Sequence, residues 1–237
     1  MEEKYSGIVL GGVSFGENDK ILNVFTLEKG VISAKIKGVK KAGAKLKFAS
    51  EPFCFAEFVF SVKGDKRTVI GASLFDGFYP IREDINKYFA GCAILEFVKR
   101  FYRENILSTN CFMDTINTLK ELAYGEADVK TVVIKYLVNA LREIGYALNI
   151  SLECSCGREI SGRTFFDYRT GSFSCENCCD GAKREINFQT LQTLFSVLQN
   201  KSASEENKTK VLRLLDYYIE NRAEEKINSL KELIKIL

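Results

Sequence analysis

At 237 residues, with 46% hydrophobic and 27% charged content, the chain is long enough for two or three small domains and lacks the composition of a disordered one. Its net charge of +3 says little about partners, but it contains no histidine. That absence excludes Ser-His-Asp triads, Cys-His dyads, HExxH metal sites and zinc fingers of the two-cysteine, two-histidine type together. No carboxylate or lysine motif stands in their place, so the composition points away from an enzyme.

The first residues, MEEKYSGIVLGG, have acids where a signal peptide carries lysines. No apolar run reaches the roughly 18–20 residues of a membrane helix. A cytoplasmic protein is expected. Residues 5 to about 78 read as β-rich, in short β-branched and aromatic runs punctuated by glycine. Val31, Ser33, Lys35 and Lys37 alternate with Ile32, Ala34, Ile36 and Gly38, which puts the lysines on one face of a strand and the apolar residues on the other. TLEKG reads as a hairpin turn with Gly30 at positive φ. Four or five strands over this length fit a small barrel or half-open sandwich.

After Pro80 the apolar spacing changes to three and four. Three helices are predicted, the third over 128–148 with Leu137, Leu141, Ile144 and Leu148 as its apolar stripe. Helical periodicity resumes at NFQTLQTLFSVLQN and continues to the end, broken by a polar loop in which Ser204 is a candidate helix cap. The cysteine-rich segment between these helical stretches reads as an insertion into one helical domain.

Residues 29–47, KGVISAKIKGVKKAGAKLK, carry seven lysines and no acid. Such a cluster binds phosphates by releasing condensed counterions, with affinity that falls as salt rises. Lys35, Lys37, Lys40, Lys41, Lys45 and Lys47 are therefore candidate nucleic-acid contacts, with Phe25 and Phe48 as candidate stacking surfaces. Gly38 and Gly43 suit a loop that moves to close on a flexible ligand. Lysine in place of arginine favours contact with phosphate over base reading. The alternative for this stretch is a solvated loop. The acids of GENDK (16–20) read as a structured turn, and GGVSFG lacks the following helix that a phosphate-binding glycine loop needs.

Five of the eight cysteines lie between positions 154 and 179. Cys154 and Cys156 form one close pair and Cys175 and Cys178 another, 18 residues apart. In a reducing compartment such pairs are metal ligands more often than disulfides, and zinc takes four thiolates from two turns joined by a hairpin. REISGRTFFDYRTGSFS supplies that hairpin, with RTG as its turn. A closed four-cysteine set without histidine or carboxylate indicates structural zinc, not catalytic zinc. Arg158, Arg163, Arg169, Lys183 and Arg184 lie close enough in sequence to offset its charge. Cys179 is left over, although adjacent cysteines can exchange roles, and Cys54, Cys92 and Cys111 read as buried apolar residues. Disulfides or a redox pair (Cys178–Cys179 or Cys154–Cys156) are the alternatives.

In their order and spacing, FGENDKILNVFTLEKGVISAKIKGVKK, YLVNALREIGYALNISLECSCG, TGSFSCENC and EKINSLKELIKIL resemble the bacterial recombination mediator RecO family over nearly the whole chain. The resemblance implies an α+β multidomain protein: an N-terminal OB-fold β-barrel and a C-terminal helical bundle with an inserted four-cysteine zinc-binding module. The corresponding boundaries are 1–79, 80–150, 151–184 and 185–237. It also implies a non-enzymatic role: binding single- and double-stranded DNA, annealing complementary strands, and helping RecA displace single-strand-binding protein. RecR, in some cases RecF, and the acidic C-terminal tail of single-strand-binding protein are the partners it implies. Two departures stand out. The first knuckle is C-x-C where zinc-bearing members usually have C-x2-C, and GYALN has alanine where the family often carries proline. Because some members lack the cysteines, the resemblance makes the zinc structural and dispensable for activity. The rival reading is a protein–protein adaptor whose basic loop is incidental.

Overall fold

The structure, a computed structural model, describes residues 1–181 and 183–237. It divides into two compact units, residues 1–91 with 95–124, and residues 92–94 with 125–237.

The first unit is built on five strands: β1 (Glu2–Phe15), β2 (Asp19–Thr26), β3 (Gly30–Ile36), β4 (Phe55–Lys63) and β5 (Lys66–Asp76). They close into a barrel in the order β1-β2-β3-β5-β4, the OB-fold arrangement. β1 serves two neighbours, pairing through its first half with β4 and through its second half with β2. The register shifts between Val9 and Gly11, where Gly11 has φ +136°. A bulge of this kind bends a strand, which lets one strand turn the corner of a barrel. The predicted alternation holds: Leu22 and Val24, Ile32, Ala34 and Ile36, and Ala56, Phe58 and Phe60 all point inward and are buried.

The β2–β3 hairpin turns at Gly30, with φ +70°. A Cβ there would lie 2.5 Å from the carbonyl oxygen of Arg103 and 2.7 Å from that of Ile106. The hairpin is joined to this segment through its backbone: the Asn105 N–H donates to the Lys29 carbonyl (2.9 Å) and the Val31 N–H to that of Arg103 (3.4 Å). Two helices complete the unit, α1 (Ile85–Phe101) and α2 (Thr109–Tyr124). The Asp84 carboxylate caps α1, accepting from the N–H groups of Asn86 and Lys87. Gly91 of α1 leaves room for the buried Phe53 ring, which a Cβ would meet at 2.7 Å. Phe25 packs its ring 5.5 Å from Tyr102 and 5.3 Å from Phe112.

The second unit contains α3 (Val129–Glu143), α4 (Phe188–Leu198), α5 (Glu205–Arg222) and α6 (Asn228–Ile236), with a three-stranded sheet of β6 (Arg163–Asp167), β7 (Ser172–Cys175) and β8 (Arg184–Asn187) in the order β7-β6-β8. Ser204 caps α5, as its position predicts, by accepting from the Asn207 N–H. α3 is shorter than the apolar stripe predicts. Gly145, at φ +86°, ends it. Its N–H bonds the Arg142 carbonyl (3.1 Å) and that of Tyr146 bonds the Leu141 carbonyl (2.8 Å). That pair of bonds is a Schellman cap. Leu137 and Leu141 are buried in α3, whereas Ile144 and Leu148 lie beyond its last turn and are only half-buried.

One polar cluster ties α3 to α5. The Lys208 ammonium, almost buried, lies 2.8 Å from Asp128 and 2.7 Å from Glu205, and Lys130 donates to the Glu205 carbonyl at 3.1 Å. Asp128 is also the cap of α3, accepting from the Thr131 N–H. Burial opposes the Asp128 charge, yet the bonds from Lys208 and Thr131 hold its carboxyl below the usual range, and burial of Lys208 is likewise outweighed by Asp128 and Glu205, which raise its pKa.

Gly30→Ala is expected to cost about 1–3 kcal/mol through strained φ and backbone overlap, measured by denaturant unfolding. Asp128→Ala is expected to cost about 1–2 kcal/mol through the lost cap. Because the folded pKa of Asp128 is depressed, its contribution is fully present above the ordinary carboxylate range and is lost as pH falls through the folded value. The wild-type excess over Asp128→Ala in unfolding free energy should therefore shrink on acidification.

Candidate nucleic-acid interface and metal centre

The lysine-rich segment leaves β3 at Ile36 and returns to the barrel by residue 48. It is pegged to the barrel. Val39 is buried in the barrel core and Leu46 packs partly against it. Between these pegs run successive tight turns, in which the N–H groups of Lys41, Ala44 and Lys47 donate to the carbonyls of Gly38, Lys41 and Ala44. Gly38 (φ +65°) and Gly43 (φ +75°) serve the turns of this segment.

GENDK is the structured turn that its sequence suggests, and it braces the lysine segment. Asp19 accepts from the Gly38 N–H (2.8 Å) and pairs with Lys35 (2.8 Å), while the Asn18 carbonyl accepts from the Lys40 N–H (3.0 Å). The hydrogen bond from Lys35, then that from Gly38, holds the Asp19 carboxyl below its usual range.

The six candidate lysines are thus not equivalent. Lys35 is half-buried, with its charge engaged by Asp19 and its ammonium 4.4 Å from the centre of the Phe15 ring. Lys37, Lys40, Lys41, Lys45 and Lys47 are exposed, and among the described residues none of them forms an ion pair. Of the candidate aromatics, Phe25 is buried against Tyr102 and Phe112 and offers no surface. Phe48 is half-buried against the barrel core. Phe15 is the exposed ring beside these lysines, at 49% exposure. Its signal in the sequence was its place as the last residue of the GGVSF run, before the turn.

In the second unit the four predicted cysteine ligands come together. The sulfurs of Cys154, Cys156, Cys175 and Cys178 all lie within 4.8 Å of one another, and the group could hold a metal ion. Cys154 and Cys156 sit on a tight turn, in which the Gly157 N–H donates to the Cys154 carbonyl and the Cys154 N–H to that of Arg158, both at 2.8 Å. Cys175 ends β7, and Cys178 closes the 3-10 turn Glu176–Cys178. The sulfurs of Cys156 and Cys175 are 3.7 Å apart. Zinc–sulfur bonds of about 2.3 Å in a tetrahedron place neighbouring sulfurs about 3.8 Å apart. The one-residue C-x-C spacing therefore does not prevent the cluster from forming. Cys179 stands apart, exposed, with its thiol toward the Asp180 carbonyl.

Burial disfavours the Cys154 thiolate, but hydrogen bonds from the backbone N–H groups of Cys156 and Cys175 outweigh it and bring the thiol down to about 6. Cys178 is pushed up to about 12 by the hydrogen bonds it shares with Cys156, Cys154 and Cys175. The nearby cations do less for this charge than their sequence positions imply. Arg163 is held by Glu185 (2.9 Å) and Glu176 (3.1 Å), and Arg169 by Asp167 (2.9 Å). Lys183 reaches the Cys178 carbonyl at 2.5 Å. Cys54 and Cys111 are buried as expected, while Cys92 is half-buried.

No helix among the described residues is long and apolar enough to cross a membrane. Residues 1–78 match the Recombination protein O N-terminal domain, and residues 82–231 match the Recombination protein O C-terminal domain. The DNA repair protein RecO of Desulforamulus reducens is 28% identical over 236 residues, covering 95% of this chain and 91% of its own. That of Bacillus subtilis is 27% identical over 230 residues (93% and 89%), and that of Acetivibrio thermocellus 26% over 216 residues (86% and 86%). Matched by both domains in order and by relatives across most of their length, the chain belongs to the Recombination protein O (RecO) family of DNA repair proteins.

Proposed function

We propose that the chain is a cytoplasmic, non-catalytic DNA-binding recombination mediator that anneals single strands and assists RecA loading onto DNA coated with single-strand-binding protein. RecR, RecF, RecA and the tail of single-strand-binding protein are the partners this role calls for. The observation that carries the DNA-binding step is the set of five exposed, unpaired lysines (Lys37, Lys40, Lys41, Lys45 and Lys47) on one anchored segment of an OB-fold barrel, in a chain of a DNA repair family. Lys35 joins them at the strand end. Point charges of this kind hold phosphates without reading bases, so binding depends on salt more than on sequence. The absence of histidine supports a role in which no bond is made or broken.

In the same reading, zinc is held by Cys154, Cys156, Cys175 and Cys178. Four thiolates leave no open position, so the metal staples the turn at 154–158 to the β7 end and does no chemistry. The N-terminal 1–79, the helical 80–150 and 185–237, and the 151–184 module are proposed as the corresponding functional divisions. An adaptor role would draw on Phe75, Tyr79 and Tyr124, exposed aromatics gathered about Asp76, to which the Tyr124 hydroxyl donates.

Charge-reversed Lys40→Glu/Lys41→Glu protein is expected to lose oligonucleotide affinity by at least roughly tenfold at low salt and to show a shallower salt dependence. Wild-type affinity in that variant, measured by fluorescence anisotropy across a salt series, would remove the DNA-binding reading and leave the adaptor. For the metal, the purified chain is expected to release about one equivalent of zinc when its thiols are oxidised. Cys175→Ser should lower both zinc content and melting temperature while leaving oligonucleotide binding intact. A purified wild-type chain without metal would refute the staple.

A further inference from the structure

Beyond the lysine segment, the surface of the barrel carries two depressions that share a residue. One, of about 490 Å3, is lined by Phe15, Gly16, Lys37 and Lys41 among others. The second, of about 870 Å3, lies between the lysine segment and the β4–β5 hairpin and is lined by Lys37, Leu46, Lys63, Lys66 and Ile70 among others. Lys37 lines both, so a strand passing over this side chain would follow a single track through the two. Lys63 and Lys66 flank the hairpin turn at Gly64–Asp65 and are exposed. Among the described residues neither they nor Lys37 forms an ion pair, so their charges are free to neutralise phosphate. Ile70, 47% exposed, gives the second depression an apolar patch.

The two ends of the track differ in chemistry. At the first end the Phe15 ring is held from one side by the Lys35 ammonium, itself fixed by Asp19. That chain of contacts orients the ring before any ligand arrives, and its 49% exposure leaves the remaining surface open. An oriented aromatic face beside lysines is a stacking platform for an unpaired base. In duplex DNA the base faces are already covered by their neighbours, so such a platform distinguishes single strands from duplex. At the other end there is no aromatic; Lys37, Lys63 and Lys66 outnumber the one acid, Asp65, beside an aliphatic patch, which suits passage of the sugar-phosphate backbone.

We infer that the barrel binds a single strand along this track, with a base on Phe15, phosphates on Lys37 and Lys41, and the strand continuing between Lys37 and the β4–β5 hairpin lysines Lys63 and Lys66. The inference rests on the DNA-binding reading proposed above. It assigns to Phe15 the preference for single strands and to Lys63 and Lys66 a second wall of phosphate contacts.

The test uses the full-length protein, checked for folding by circular dichroism, with three labelled probes of equal length: oligo-dT, an abasic oligonucleotide and a duplex. Phe15→Ala is expected to weaken oligo-dT binding roughly 5- to 100-fold while leaving the abasic and duplex affinities near wild type. Equal losses on all three probes, or no loss on oligo-dT, would overturn the role of Phe15. Lys63→Ala/Lys66→Ala is expected to weaken oligo-dT and abasic binding alike and to lower the slope of log affinity against log salt by roughly 1–2. An unchanged slope would overturn the second wall. Lys40→Glu/Lys41→Glu separates the two levels. If it loses binding while the Phe15 and hairpin variants match wild type, the track is wrong and the DNA-binding reading stands; if it too binds like wild type, the reading itself fails.

Discussion

The barrel closes through a contact only two residues long on each strand, where Lys35 and Ile36 of β3 lie parallel to Thr68 and Val69 of β5. Every other neighbouring pair in the barrel is antiparallel and longer. Antiparallel strands can be joined by a hairpin, whereas a parallel pair needs a longer crossover. Here the crossover contains the lysine segment and all of β4. It emerges beside the start of β5, and this places Lys37 next to the β4–β5 hairpin. The proposed interface is a consequence of how the barrel shuts: the same pair that completes the sheet brings two lysine-bearing turns to one surface.

The charges beside the two candidate sites are arranged differently. Around the cysteines, two arginines are taken up by carboxylates, Arg163 between Glu176 and Glu185 and Arg169 on Asp167. Those pairs are exposed and contribute little to stability, but they engage two of the cations beside the cysteines. In the lysine segment of the barrel one carboxylate stands among many cations. Asp19 engages Lys35 alone and uses its second oxygen to hold the Gly38 N–H, so one carboxylate fixes the segment while the remaining lysines stay open. The acid of GENDK thus works as a brace for its basic neighbour.

Local pattern made much of this legible in the sequence. The alternation of 31–38, the positive φ of Gly30, the Ser204 cap and the pairing of cysteines around a hairpin each depend on residues close in the chain, and each is found. What was not legible depends on distant partners. Phe25 has the composition of a stacking residue, but Tyr102 and Phe112, brought from α1's end and α2, bury it. Phe15 lies in GGVSFG, which the sequence let us weigh only as a phosphate-binding glycine loop, and only the approach of Lys35 from β3 gives its ring a fixed face. The end of α3 was misjudged for a different reason: apolar spacing continued through Ile144 and Leu148, but the left-handed glycine at 145 outweighed it. Periodicity reports which side chains seek burial and does not say whether the backbone can keep its helical path.

The hydrogen bonds between the β2–β3 hairpin and the segment following α1 run between main-chain atoms. Their donors and acceptors are the same whatever side chains stand at Lys29, Arg103 or Ile106, and Asn105, at φ +65°, is a residue type that accepts the left-handed conformation. Such a seam is largely indifferent to sequence drift. At position 30 of this seam an added methyl group has nowhere to go. A join of this kind depends on the backbone path more than on the side chains that border it.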